Sequence, residues 1–142
     1  MRYSLDLSAL REARHAKGLT QPQLSDLVGV DGAPRVSAWE SGQQVPHPGQ
    51  LRRLAEVLEV PITQLLEPVS VEDRDLRRLR IEAGLTIVEL GARIHVAGPT
   101  LKRWERGEVQ GLLRRIPLGD MADVLRVDEA TVTAALRRTQ SS

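Results

Sequence analysis

Gly18-Leu19-Thr20-Gln21-Pro22-Gln23-Leu24-Ser25, followed by Trp39-Glu40-Ser41-Gly42, decides the fold, because the chain repeats it. The pattern returns as Gly84-Leu85-Thr86-Ile87-Val88-Glu89-Leu90-Gly91, followed by Trp104-Glu105-Arg106-Gly107. The offset is 66 residues from Gly18 to Gly84, from Leu24 to Leu90 and from Val30 to Val96, and 65 from Trp39 to Trp104. A period that long, seen twice, signals a duplicated domain rather than a solenoid. Two small domains are therefore expected, over residues 1–67 and 68–142. The link between them is Glu67-Pro68-Val69, and Ser70 with Asp73 reads as the cap of the next helix.

Working outward, the signals are helical throughout. Leu7, Leu10, Ala13 and Arg14 form a stripe that stops at Gly18. Thr20 with Gln23, and Thr86 with Glu89, have the spacing of a capping box. Leu24, Leu27 and Val28 carry a second helix to Gly29, where a left-handed residue permits a tight turn. The second copy has His95 there, one of the non-glycine residues that tolerate positive φ. Pro34 and Pro99 suit the first position of a third helix, where a missing N–H costs nothing. Val36 and Trp39 face inward from it, as do Leu101 and Trp104. His47-Pro48 opens a fourth helix with Leu51, Leu54, Ala55 and Leu58 on one face, and a short fifth helix ends at Leu65-Leu66. The second copy matches with Leu118, Met121, Ala122 and Leu125, then Asp128 as a cap and Val132 inward. The fold class is all-α, two tandem compact five-helix domains.

Composition excludes several function classes. The 142 residues contain no Cys, so disulfides and thiolate chemistry are out. No apolar run approaches the roughly 18 residues of a membrane span, and no membrane partner is expected. His15, His47 and His95 stand far apart without ligand spacing, so no metal or other cofactor is expected. There is no phosphate-binding Walker loop and no nucleophile elbow, and the carboxylates fall at caps or on the surface; no enzyme is read from the chain. Net charge is only +1. Residues 1–69 hold seven Arg and Lys against eight Asp and Glu; residues 70–142 hold thirteen against eleven. A nearly neutral protein can still carry a local basic face.

A second and third helix joined by a tight turn make a helix-turn-helix. With the flanking residues, both copies resemble the lambda-repressor-like family of phage Cro and repressor, or XRE-type, proteins. The resemblance covers Leu10 to Leu66 and Leu76 to about Val132, most of the chain. It implies two lambda-repressor-like helix-turn-helix domains whose third helices enter the DNA major groove. It also implies structural arginine–glutamate pairs, Arg14 with Glu40 and Arg80 with Glu105, since a buried charge needs its partner. Trp39 and Trp104 are read as core, and Ser25 and Gly91 as small residues where the second and third helices cross.

The family's phosphate-anchoring glutamine maps to Gln21, whereas the second copy has Ile87, which cannot hydrogen-bond. In the first copy the outward residues of the third helix are Arg35, Ser37 and Ala38, with Gln43 and Gln44 just beyond. In the second copy they are Thr100, Lys102 and Arg103, with Arg106, Arg114 and Arg115 nearby. Arg103 falls at a base-reading position of the family, where arginine pairs bidentately with guanine; the bland alternative is a solvated charge. Asp31, in a turn one residue longer than the family's, is expected to cap the third helix. Leu112-Leu113 either extend the fourth helix of the second copy and pack inside, or are exposed and offer a partner surface.

The function expected is a sequence-specific DNA-binding transcriptional regulator, cytoplasmic and nucleoid-associated, with double-stranded DNA as partner and an asymmetric or direct-repeat site. The alternative is a protein-interaction or homodimerisation module, for example antitoxin-like, in which one or both copies no longer read DNA.

Overall fold

A computed structural model of the chain describes residues 4–141, apart from the side chains of Leu113 and Ser141. It divides into two units, Met1–Pro68 and Val69–Ser142. Among the described residues there are ten α-helices, and the sole β feature is an isolated antiparallel bridge between Leu5 and Leu66.

Domain one contains α1 (Leu7–Ala16), α2 (Gln21–Val28), α3 (Ala33–Ser41), α4 (Pro48–Leu58) and α5 (Ile62–Leu65). The side chains that share one stripe of each helix meet in the middle: Leu10, Leu24, Val36, Trp39, Leu51, Leu54 and Leu65 are all buried. Local chemistry sets the boundaries. Thr20 caps α2 in a capping box with Gln23, and His47 caps α4 by accepting from the Gln50 N–H through Nδ1. Residues 4–6 are tied to the end of the domain: the Asp6 N–H donates to Leu65 O at 2.9 Å and the Glu67 N–H to Ser4 O at 3.0 Å.

Domain two contains α6 (Leu76–Glu82), α7 (Ile87–Ile94), α8 (Gly98–Glu105), α9 (Leu118–Leu125) and α10 (Glu129–Ser141). Its core gathers Leu76, Leu79, Leu90, Leu101, Trp104, Met121, Leu125, Val132 and Leu136. Closure differs from domain one. Instead of a bridge, the 13-residue α10 packs along α6 and α9. Thr139, buried on α10, accepts from the Leu76 N–H and donates to Ala135 O, both at 2.9 Å. Asp128 accepts from the N–H and hydroxyl of Thr131, which hold its carboxyl below the usual aspartate range.

Three local expectations are corrected. Ser70 does not cap α6: it precedes a 3-10 turn, Val71–Asp73, and donates to Asp73, while Asp75 caps α6 by accepting from the Arg78 N–H. Pro34 and Pro99 stand second, not first, in α3 and α8, where the amide also lacks an intrahelical acceptor. Leu112 is buried, in a separate 3-10 turn (Leu112–Arg114) rather than in α9; the expectation for the Leu113 side chain lies outside the described residues.

Candidate nucleic-acid interface

The two helix-turn-helix units are held by the same turn built two ways. In domain one, Gly29 ends α2 with φ +84°, and the Val30 N–H returns to Ser25 O at 3.1 Å. The Ser25 hydroxyl then donates to Val30 O at 3.1 Å. In domain two, His95 takes the left-handed position with φ 60°, and the Val96 N–H returns to Gly91 O at 2.8 Å. A Cβ added to Gly91 would lie 2.4 Å from Val96 O. The small residue at this position is thus required by the turn's own carbonyl, rather than by the helix crossing expected from the sequence. Domain one meets that carbonyl with a hydroxyl, domain two with bare backbone.

Behind each turn stands a buried ion pair. Arg14 Nε donates to Glu40 Oε2 at 2.6 Å and Nη2 to Oε1 at 3.1 Å, while Nη1 donates to Leu19 O at 2.9 Å. Arg80 repeats all three bonds, to Glu105 at 2.6 and 3.0 Å and to Leu85 O at 2.9 Å. One guanidinium therefore clamps the first helix, the third helix and the loop before the second. Bidentate geometry with the third guanidinium nitrogen also bonded is the condition under which a buried pair holds.

Domain one adds a bond that domain two lacks. Gln21 Nε2 donates to Glu40 Oε1 at 3.2 Å, and Arg11 stands 3.6 Å from the same oxygen. Burial pushes the Glu40 carboxyl up, but the hydrogen bonds from Arg14 and Gln21 and the charges of Arg14 and Arg11 outweigh it and leave the group below its usual value. At the first position of α2, Gln21 is half-buried and fixed by Glu40, with one amide hydrogen and its carbonyl remaining. Sequence spacing does not reveal this link, because it depends on where α2 crosses α3.

The other positions singled out in domain one surround α3. Ser37 is exposed and Ala38 half-buried, and Gln43 and Gln44 are exposed in the turn after the helix. Asp31 does not cap α3; Gly32 occupies the cap position, with no side-chain bond. Asp31 instead pairs with Arg35 at 3.3 Å, and Arg35 also donates to Gln44 at 3.1 Å. The extra turn residue thus places a carboxylate beside the arginine of α3.

In domain two, Thr86, Ile87, Val88, Gly98, Pro99, Lys102, Arg103 and Arg106 line an open groove of about 670 Å³. It runs from the N-terminus of α7 along α8, and its lining joins the apolar Ile87 and Val88 to three cations. Thr100, Lys102, Arg103 and Arg106 are exposed. Arg103 stands 3.9 Å from Glu108 across solvent, a separation at which little is gained. Lys102 and Arg106 make no ion pair among the described residues. Arg114 and Arg115 are exposed in and just after the 3-10 turn that precedes α9. Val88 is 74% exposed, an apolar side chain on this face that no motif or periodicity in the sequence marks.

Among the described residues, no group of His, Asp or Glu is arranged to hold a metal ion, and no helix is long and apolar enough to cross a membrane. No curated protein and no solved structure matches the chain. The family profile of a helix-turn-helix domain, however, matches residues 8–67 and again residues 74–135. With both units built as helix-turn-helix domains, the chain belongs to the helix-turn-helix domain family, as a tandem pair.

Proposed function

We propose that the chain is a sequence-specific DNA-binding transcriptional regulator, of the XRE type found in bacteria and phages, acting on DNA in the cytoplasm through both domains. The observation that carries this reading is the groove of domain two, where the N-terminus of α7, the exposed Lys102 and Arg103 of α8 and the exposed Arg106 that caps its end share one open face. A third helix of this kind docks in the major groove with the N-terminus of the second helix against the backbone. On that docking, Arg103 meets a base edge, Lys102, Arg106 and Thr100 meet phosphates or bases, and Gln21 donates its remaining amide hydrogen to a phosphate. Arg35, Ser37, Ala38, Gln43 and Gln44 form the facing set of domain one. The reading is non-enzymatic and needs no cofactor.

Selection of duplexes from a random pool, at two salt concentrations, tests it. An enriched sequence with steeply salt-dependent affinity is expected. Absence of enrichment at low salt overturns sequence-specific recognition. A second reading, a protein-interaction or dimerisation module, is favoured by Val88 exposed beside Ile87 on the same face. Charge reversal at Arg35 and at Arg103 separates the two, since under the second reading neither change alters DNA affinity.

A further inference from the structure

The two domains present the same surface with different chemistry. The 65-residue offset between Trp39 and Trp104 pairs Lys102 with Ser37, Arg103 with Ala38 and Arg106 with Ser41. Three cations in domain two therefore correspond to three small uncharged residues in domain one. The nearest cation of domain one on this helix, Arg35, is engaged by Asp31 and Gln44 at 3.3 and 3.1 Å. The reverse holds at the N-terminus of the second helix. Domain one has Gln21, oriented by a buried carboxylate, where domain two has Ile87.

Resting on the DNA-binding reading, we infer that the domains divide the work of one complex. Domain two supplies the charge that drives association and, through Arg103, a guanine contact. Domain one supplies a neutral, polar register contact through Gln21 and faces the duplex with uncharged Ser37, Ala38, Gln43 and Gln44, its Arg35 being paired with Asp31. The physics separates these roles. Neutralised phosphates release counterions and set the salt dependence, whereas a neutral hydrogen bond to phosphate fixes position and releases none. A protein whose basic groups were shared evenly would lose salt dependence equally from either side. This one is predicted to lose it from α8 and its C-terminal cap, Arg106, alone.

The test uses the full chain and the duplex that it enriches, with affinity followed by fluorescence anisotropy from low to moderate salt. One variant gives domain two the residues of domain one: Lys102→Ser, Arg103→Ala and Arg106→Ser together. Its slope of log affinity against log salt is expected to flatten by about 2, near 0.9 for each of the two phosphates that Lys102 and Arg106 no longer neutralise. A fourfold rise in salt then costs it roughly 12-fold less affinity than it costs the parent. Gln21→Ala is expected to weaken binding about tenfold at every salt concentration with the slope unchanged. Grafting Ser37→Lys, Ala38→Arg and Ser41→Arg onto the triple variant is expected to restore the steep slope; retained helical circular dichroism shows each variant folded. A slope change below about 1 in the triple variant, or a change with Gln21→Ala as large as with the triple, overturns the division while leaving DNA binding intact. A parent chain that binds no duplex even at low salt overturns the DNA-binding reading and this inference with it.

Discussion

Domain one and domain two share a scaffold and differ at its edges. Both hold the third helix with a bidentate arginine–glutamate clamp whose spare N–H goes to the loop carbonyl, Leu19 in one and Leu85 in the other. Both open the second helix with a threonine capping box. They diverge where the chain meets solvent around the third helix: a neutral face with an oriented glutamine in domain one, a cationic groove that also holds Ile87 and Val88 in domain two. The agreement concerns groups that pair or cap within a domain. The divergence concerns groups whose exchange leaves the core untouched. Duplication here fixed the fold and left the two surfaces free to take different parts.

The largest effect is expected at the clamps. Glu40→Ala and Glu105→Ala each strand a buried guanidinium and should cost their own domain about 3–5 kcal/mol, read by thermal or denaturant unfolding. The two variants should differ at the surface, because only Glu40→Ala also frees a residue at the start of the second helix, Gln21. A domain that tolerated the loss within about 1 kcal/mol would show that the pair is not structural there.

Next in size is the turn. Gly91→Ala places a Cβ against the Val96 carbonyl and should cost about 1–3 kcal/mol through the backbone shift it forces. Ser25→Ala in domain one removes a hydroxyl from the equivalent carbonyl and should cost about 1 kcal/mol. Equal costs would break the claim that the two turns are built differently. Similar in size to Ser25→Ala and opposite in sign, His95→Gly should stabilise domain two by about 1 kcal/mol, because His95 holds the left-handed conformation that Gly29 takes in domain one without a Cβ.

Acid addresses domain one through Glu40. Its folded pKa lies below the ordinary 4.5, so the stability it contributes is fully present above that value and is lost as pH falls through the lower folded value. In Glu40→Gln, unfolding followed over that window should lose this share of the pH dependence. A pH profile identical to the parent's would contradict it.

Much of this architecture could be read from residue types and spacing. Thr20 with Gln23, Thr86 with Glu89 and the helical stripes depend on local chemistry, and the structure shows them as expected. What escaped was set by contacts between elements. Asp31 looks like a cap, but the backbone of the longer turn leaves Gly32 at the cap and delivers Asp31 to Arg35. Ser70 looks like a cap for α6, but a 3-10 turn intervenes and Asp75 takes the role. The bond from Gln21 to Glu40 joins residues 19 apart across a helix crossing, which no periodicity announces. At the candidate site, motif spacing alone shows which residues stand on α8. The structure adds that Lys102, Arg103 and Arg106 share one groove with the start of α7.

The claim that the two domains contribute unequally is tested most directly by methylation interference on the duplex that the chain selects. Guanine N7 methylation blocks a bidentate arginine contact in the major groove. The account predicts interference at guanines in one half of the site only, abolished in Arg103→Ala and unaffected by Arg35→Ala. Interference of equal strength in both halves, or a pattern unchanged by Arg103→Ala, would contradict it.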